Sequence, residues 1–125
     1  PPPPSPPLPS LLTRTLLRNG PPLAAVDLVF LSEAYTADSA APFFADVSRI
    51  LDRHFFARGA AFAGIEPLFN AHALFVPSPA ERVATSGSGP INRTAFGCFR
   101  EPHKLRAIFP GAGAVERATA LCEAR

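Results

Sequence analysis

The sequence predicts an α/β or α+β domain in which a mixed sheet is packed against helices. Two short apolar runs have the length and composition of buried strands: residues 25–32, AVDLVFLS, and residues 69–76, FNAHALFV. The second run is largely apolar at odd and even positions alike, which favours a strand covered on both faces. Between the runs, apolar residues recur at three- and four-residue spacing and predict an amphipathic helix.

The composition limits the size of the protein and the partners it can have. The 125 residues are enough for one domain and too few for two. Hydrophobic residues make up 47% of the chain and include eleven Phe, so a packed core is expected. The net charge is only +2 and the Arg residues are scattered, so nucleic acid is not an expected partner. No stretch reaches the ~18 to 20 apolar residues of a membrane span.

The chain opens with a Pro-rich segment, PPPPSPPLPS, for which we expect polyproline II or disordered backbone. Its P-x-x-P spacings suit an SH3-type groove, but no basic residue flanks them, so a linker is the favoured interpretation. We therefore assign residues 1–15 to a Pro-rich disordered linker and residues 16–125 to the folded domain. Around this boundary, residues 11–18, LLTRTLLR, predict a short strand or a turn of helix.

The predicted helix carries signals at both ends. Asp38 or Ser39 is placed to cap its start, and Pro42 falls in the first turn, where a missing N–H costs nothing. Gly59 can end the helix in a left-handed conformation. The apolar face is predicted to contain Phe43, Val47, Ile50, Leu51, His54 and Phe55.

The last third of the chain predicts one more strand and one more helix. The sequence PSP at 77–79 ends the second strand, and residues 85–90, TSGSGP, predict a flexible loop. Residues 94–99, TAFGCF, predict a third strand. Residues 113–124 predict an Ala-rich helix, one side of which contains Val115, Ala118, Leu121 and Cys122.

The His and Cys residues do not form a recognisable metal motif. None of the three His lies four residues from another, so no helical zinc pair is predicted. His54 and His72 are expected to be packing residues, with His54 half-buried at the end of the helix face, and His103 is expected to be solvated in a turn. Cys98 and Cys122 permit one disulfide without requiring it.

No nucleophile or base is supported by its neighbours in sequence. Ser78 and Ser86 lack the G-x-S-x-G elbow. Glu33 follows the first strand and could act as an acid or base, but without a partner carboxylate a turn or capping role is favoured. The GSG at 87–89 lacks the context of a phosphate loop, and NRT at 92–94 matches a glycosylation acceptor. We assign no catalytic, cofactor-binding or metal-ligating residue within this chain.

Several short motifs follow one another along the chain in an order that is similar to one family. They are Asn19–Pro21, Val26–Leu31, Tyr35–Thr36, Phe44–Asp46, Pro67–Asn70, Ala73–Ser78, Asn92–Gly97 and Ala118–Cys122. Together they resemble the IgA peptidase family of zinc metallopeptidases, metallopeptidase family sixty-four, over residues 16–124. Where that family has Gly before its Tyr-Thr pair, this chain has Ala34.

The resemblance implies that this chain is the N-terminal part of the catalytic domain of a secreted zinc-dependent endopeptidase with a zincin-like fold. In the family, two His of an H-E-x-x-H motif bind zinc and the Glu acts as general base. No H-E-x-x-H occurs in these 125 residues, so we expect a segment that is truncated before the zinc motif and inactive alone. The absence of Met, even at position 1, agrees with a processed or cut chain. The resemblance further implies a protein or peptide substrate, an extracellular location and a downstream Cys that pairs with Cys122.

Two other hypotheses remain open at this stage. The chain could be a non-catalytic α/β interaction module with a Pro-rich arm, or the relic of a truncated gene without a present function. An H-E-x-x-H within ~100 residues after Arg125 would favour the peptidase, because half a domain has that scale. A native stop codon together with stable folding of residues 20–125 would favour the interaction module.

Overall fold

The structure, a computed structural model, describes residues 12–85, 94–101 and 104–124. Its first sheet has the strand order β1-β3-β2, where β1 is Leu12–Leu17, β2 is Val26–Leu31 and β3 is Phe69–Phe75. The central strand β3 runs antiparallel to β1 and parallel to β2, so the predicted mixed sheet is confirmed. Every residue of β3 is buried, as its apolar pattern predicts.

The parallel strands β2 and β3 are joined by a helical crossover, which a parallel pair requires. A 3₁₀ turn at Ala37–Ser39 leads into α1, Ala40–Ile50, and the helix continues as a π-helical turn at Leu51–Phe55. Helix α1 covers one face of the sheet. Its side chains form a buried cluster with alternate residues of β3; the cluster contains Phe43, Phe44, Val47, Leu51, Ala71, Ala73 and Phe75.

The opposite face of the sheet is covered at the carboxyl end of β3 by a second helix, α2, Ala114–Ala124. Val76 forms a second buried cluster there with Ala95, Phe96 and Ala114, and the partly buried Leu31, Cys98, Ala118 and Leu121 pack against it. The two clusters lie on opposite faces because neighbouring residues of a strand point in opposite directions. No helix in the described part of the chain is long and apolar enough to span a membrane.

A second small sheet has the order β4-β5-β6, where β4 is Ala84–Thr85, β5 is Phe99–Glu101 and β6 is Lys104–Phe109. Strand β5 is parallel to β4 and antiparallel to β6. The rings of Phe99 and Phe109 stack with their centroids 5.7 Å apart and join β5 to β6. Strand β6 was not predicted, because KLRAIF alternates between polar and apolar residues over only its first four positions.

The prediction of a third strand at 94–99 is wrong. Residues 94–98 form a turn in which the N–H of Gly97 donates to the carbonyl of Thr94 at 3.2 Å, and Gly97 has a φ of +62°. The strand β5 begins only at Phe99. The apolar side chains that indicated a strand are buried for another reason, because Ala95 and Phe96 belong to the second core cluster.

Two predicted details of α1 are also wrong. Neither Asp38 nor Ser39 makes a side-chain cap, because the chain enters α1 through the 3₁₀ turn, in which the N–H of Ser39 already donates to the carbonyl of Thr36 at 2.9 Å. His54 is exposed instead of half-buried. The π-helical turn widens the helix at that point and so changes which side His54 faces. Gly59 has the expected left-handed φ of +85°, but it lies in the turn beyond the helix.

The remaining differences concern boundaries and one helix face. Strand β1 begins at Leu12, so residues 12–15, which we had assigned to the linker, are part of the sheet. The helix predicted at 113–124 is confirmed to within one residue, but Val115 is 67% exposed and Ala114 occupies the core instead. The Pro-rich start, the loop at 86–90 with Ser86, the first two residues of the glycosylation motif at 92–93 and His103 lie outside the described residues.

Candidate functional site

The candidate site lies where the parallel strands β2 and β3 end. In open α/β sheets, ligands bind beyond the carboxyl ends of the parallel strands, because the backbone diverges there and leaves a crevice. Strand β2 is followed by Ser32, Glu33 and Ala34, and strand β3 by Val76 and Ser78. The turn at 94–98 packs against both segments. Here this polar cluster is called the strand-end site.

Two buried serines hold the segments after the strands together. The Oγ of Ser32 donates to the carbonyl of Val76 at 2.7 Å and accepts the N–H of Val76 at 2.6 Å. The Oγ of Ser78 accepts the N–H groups of Ala34, at 3.0 Å, and Ala95, at 2.8 Å. One hydroxyl therefore joins the segment after β2 to the turn at 94–98. Ser78 is therefore a structural connector: its hydroxyl accepts two backbone N–H groups and also lies 3.4 Å from the Oε1 of Glu33.

Glu33 is the charged centre of the strand-end site. Its carboxylate accepts the N–H of Phe96, at 3.2 Å to Oε1, and the N–H of Cys98, at 3.0 Å to Oε2. The hydroxyl of Ser78 lies 3.4 Å from Oε1 and completes the set of donors from the other chain segments. The favoured prediction of a turn or capping role thus fits the geometry, although the turn that Glu33 binds lies more than sixty residues away.

These hydrogen bonds explain the protonation state of Glu33. Burial raises its pKa, but the hydrogen bonds from the Cys98 thiol and N–H and from the N–H of Phe96 outweigh burial and lower the pKa below its ordinary value of 4.5. A carboxylate with a lowered pKa is a poor general base at neutral pH. Glu33 is therefore suited to hold the turn and is not suited to transfer protons.

Cys98 is held as a thiol beside this carboxylate. Burial, the hydrogen bond to Glu33 and the negative charge of Glu33 raise its pKa to about 11, and the backbone of Gly111 reduces the shift only in part. Since the thiolate is the reactive form of cysteine, Cys98 is not an activated nucleophile. Cys98 and Cys122 are both free thiols, and no disulfide joins them.

Ala34 occupies a strained position between Glu33 and the only Tyr. Its φ is +64°, a left-handed conformation that Gly adopts more readily than Ala. The conformation turns the N–H of Ala34 toward the Oγ of Ser78. Ala34, which stands where the resemblance expects Gly before the Tyr-Thr pair, thus occupies a position at which the backbone favours Gly.

Tyr35 attaches the same segment to helix α1. Its hydroxyl donates to the Oδ2 of Asp46 at 2.6 Å, and Asp46 also forms an ion pair with Arg49 at 2.6 Å. The ring of Tyr35 contacts the ring of Phe43 edge to face, with centroids 5.3 Å apart. Burial and the hydrogen bond to Asp46 raise the pKa of Tyr35 to about 12. The neutral phenol therefore persists across the physiological pH range and fixes the exit of β2 on the helix.

A cleft of about 620 Å³ opens beside Glu33 and Cys98. Its volume lies within the range of small-ligand sites, roughly 300 to 1,000 Å³. The segment before β4 and the second sheet form its other side. The residues that line the cleft are Glu33, Ala34, Glu81, Arg82, Val83, Cys98, Arg100 and Ile108.

A second polar cluster lies at the amino ends of the same parallel strands. Buried Asn70 accepts the N–H of Asn19 at 2.8 Å through its Oδ1, and its Nδ2 donates to the carbonyl of Gly20 and to the Oδ1 of Asp27, each at 2.9 Å. The side chain of Asn19 donates in turn to the carbonyls of Glu66 and Phe69. The turn before β2 is thereby fixed to the start of β3.

His72 joins all three strands of the first sheet next to that cluster. Its Nδ1 lies 3.1 Å from the Oγ1 of Thr15 in β1, and its Nε2 lies 3.8 Å from the Oδ1 of Asp27 in β2. The ring is buried, which agrees with the predicted packing role. The hydroxyl, the imidazole and the carboxylate lie in that order across the three strands, and the imidazole is buried within the sheet.

The described residues do not fit a zinc centre. Among residues 12–85, 94–101 and 104–124, no three His, Cys, Asp or Glu side chains come together. Glu33 lies beside Cys98, but that carboxylate is bound by N–H donors and zinc requires a thiolate. Asp27 and His72 form another pair, with Oδ1 and Nε2 3.8 Å apart. We therefore assign no step of a reaction to a metal held by these residues.

Sequence reasoning found Glu33 and Ser78 separately and did not predict that they meet. It missed the anchoring role of Ser32, Tyr35 and Asn70, although the polar residues directly after an apolar strand were a usable signal. It also missed Arg82 and Arg100, because nothing in their local sequence places them on one cleft. No protein-family model matches the sequence, and a search of curated proteins finds no match.

Proposed function

We propose that this chain is the scaffold segment of a secreted, zinc-dependent endopeptidase that resembles the IgA peptidases. In this proposal the two sheets and the strand-end site form part of the scaffold beside which a peptide substrate binds. The H-E-x-x-H motif and its zinc belong to a part of the parent protein other than these 125 residues. The chain alone is then inactive, and cleavage of a peptide bond requires the longer parent.

One observation carries the proposal: motifs that are far apart in sequence and that together resemble the family contact one another in the structure. Asn19 and Gly20 of the motif Asn19–Pro21 bond to Asn70 of the motif Pro67–Asn70. Ser78 of the motif Ala73–Ser78 accepts the N–H of Ala95 in the motif at 92–97. The motif residues therefore lie at the two ends of the paired strands β2 and β3, and this placement in one structural unit supports the proposal.

The interaction module remains the competing hypothesis. The cleft beside Glu33 favours this hypothesis, because such a cleft can bind a partner without a catalytic residue and without a metal. The two hypotheses differ in what lies outside these residues and in whether a longer product hydrolyses peptides. Both expect the 125-residue chain to be inactive, so activity of this chain alone does not separate them.

The test is to read the coding sequence beyond the codon for Arg125 and to express the longest product that contains this chain. We expect an H-E-x-x-H motif, about one zinc per protein by elemental analysis, and cleavage of an unfolded protein such as casein that a chelator abolishes. The matched control replaces the Glu of that motif with Gln, which should retain zinc and lose activity. A stop codon at this point in an abundant transcript, or a longer product without the motif, would overturn the peptidase proposal.

A further inference from the structure

The cleft beside Glu33 contains an uneven set of charges. Its charged lining residues are Glu33, Glu81, Arg82 and Arg100. The carboxylate of Glu33 accepts the N–H groups of Phe96 and Cys98, and these hydrogen bonds do not involve an arginine. Within the described part of the chain, neither Arg82 nor Arg100 forms an ion pair. Two exposed guanidinium groups therefore line one cleft without a fixed carboxylate partner.

The shape and the apolar part of the lining limit what such a cleft can bind. Val83, Ala34 and Ile108 contribute apolar surface, and Ile108 is 53% exposed despite its size. An isoleucine exposed beside two arginines is suited to a ligand that is apolar next to a negative group. A peptide offers this combination, because a side chain lies within a few ångströms of each carboxylate.

The charged side chains that line the cleft favour a ligand with a single negative charge. Arginine binds carboxylates and phosphates through paired N–H donors, so either group matches the two guanidinium groups. With Glu33 bound to the N–H groups of the turn, the charged groups left to face a ligand are two Arg and Glu81, a net +1 (2 − 1) that one carboxylate neutralises and a doubly charged phosphate exceeds. The lining is therefore better matched to one carboxylate than to a phosphate group.

We propose that this cleft binds a peptide through one carboxylate, with Arg82 and Arg100 contacting the carboxylate and with Val83 and Ile108 contacting the adjacent apolar side chain. The carboxylate can be the C-terminus of the peptide or the side chain of an acidic residue. The site requires neither zinc nor the H-E-x-x-H motif. The proposal therefore stands or falls separately from the peptidase proposal, and it can be tested on this chain.

The experiment measures peptide binding to the full 125-residue chain by isothermal titration calorimetry at low and at physiological salt. One arm compares acetyl-Ala-Leu-Ala with a free C-terminus and the same peptide as its amide. The other arm compares acetyl-Ala-Glu-Leu-amide with acetyl-Ala-Gln-Leu-amide. We expect the charged member of at least one pair to bind more tightly, with an affinity that falls as salt is added. The arm that responds identifies the source of the carboxylate.

Variants connect the binding to the cleft. Arg82→Gln and Arg100→Gln should each weaken the charged peptide by about tenfold, because each removes one charged hydrogen-bonding partner. Arg58→Gln removes an equally exposed arginine outside the cleft and should leave the affinity unchanged. Circular dichroism and the urea midpoint show that each variant is folded. Equal binding of charged and uncharged peptides, absence of binding in both arms, or equal loss in the Arg58 variant would overturn the proposal.

Discussion

The carboxylate of Glu33 accepts a hydrogen bond from the backbone N–H of Cys98 at 3.0 Å, across 65 residues of sequence. The same carboxylate binds the N–H of Phe96, so one side chain satisfies two donors of the turn at 94–98. That turn carries Phe96 into the core cluster on which α2 packs. Glu33 thereby determines how the last third of the chain is attached to the sheet.

Replacing Glu33 with Gln should lower the free energy of unfolding by about 1–2 kcal/mol. The amide cannot accept both N–H groups, since its NH₂ is itself a donor, and a hydrogen bond to a charged group contributes roughly 1.5–3 kcal/mol. We expect a decrease in the free energy of unfolding near the lower end of this range, because Glu33 is only partly buried. Urea denaturation followed by circular dichroism measures it. Glu66→Gln, an exposed Glu on the 3₁₀ turn before β3, is the control and should change stability little.

The contribution of Glu33 should disappear in acid. Because the folded-state pKa lies below the ordinary value of 4.5, the unfolded chain binds a proton more readily than the folded chain. Glu33 therefore stabilises the fold above pH 4.5, and this stabilisation is lost as pH falls from there through the lowered pKa. Urea midpoints of the native chain and of Glu33→Gln should converge across this window. A difference that stays constant from neutral to acid pH would contradict the assignment.

Replacing Ala34 with Gly should stabilise the protein. A non-Gly residue in the left-handed region costs roughly 1–2 kcal/mol, and Gly loses about 0.5–1 kcal/mol through its greater freedom in the unfolded chain. The net gain expected is up to about 1 kcal/mol, measured by urea denaturation. The control is Ala45→Gly, at an exposed position of α1, which should destabilise by about 1 kcal/mol. If the two substitutions changed stability in the same direction, the strain at Ala34 would be refuted.

Replacing Ser78 with Ala should be among the more damaging changes on the sheet. Ser78 is 4% exposed, and its removal takes the acceptor from the N–H of Ala95 and leaves the N–H of Ala34 with only the Oε1 of Glu33, at 3.2 Å. An unpaired buried group costs about 1–3 kcal/mol, so we expect the free energy of unfolding to fall by about 1–3 kcal/mol. Ser48→Ala in helix α1 is the matched control and should stay within about 0.5 kcal/mol. A small effect of Ser78→Ala would show that the turn at 94–98 is held by Glu33 alone.

The thiol of Cys98 should react slowly with iodoacetamide while the protein is folded. Its pKa of about 11 leaves little thiolate at pH 8, whereas the unfolded chain has an ordinary cysteine. In a Cys122→Ser background, alkylation should be at least about tenfold slower in the folded chain than in urea. Adding Glu33→Gln removes the neighbouring negative charge and should speed the folded-state reaction. An equally slow reaction in that variant would assign the protection to burial alone.

The elements that could be predicted from the sequence are those whose signals are local. The apolar runs at 25–32 and 69–76 became β2 and β3, and the helical spacing between them became α1, because strand and helix periodicities are written in neighbouring residues. The same holds for α2, whose predicted limits differ from the structure by one residue. The incorrect prediction of a strand at 94–99 shows the limit of local signals, because apolar residues in a buried turn form the same sequence pattern as apolar residues in a strand.

The contacts between residues that are distant in sequence depend on the tertiary structure. No local pattern could bring Glu33 to the turn at 94–98, Ser78 to Ala34, or Arg82 and Arg100 to one cleft. The π-helical turn determines the exposure of His54. The path of the backbone after β2 places Ala34 in the left-handed conformation. Hydrogen bonds and charges act over a few ångströms in space, whereas periodicity reports only on neighbours along the chain. The strand-end site is therefore a product of how β2 and β3 are packed, and the sequence contained only its separate parts.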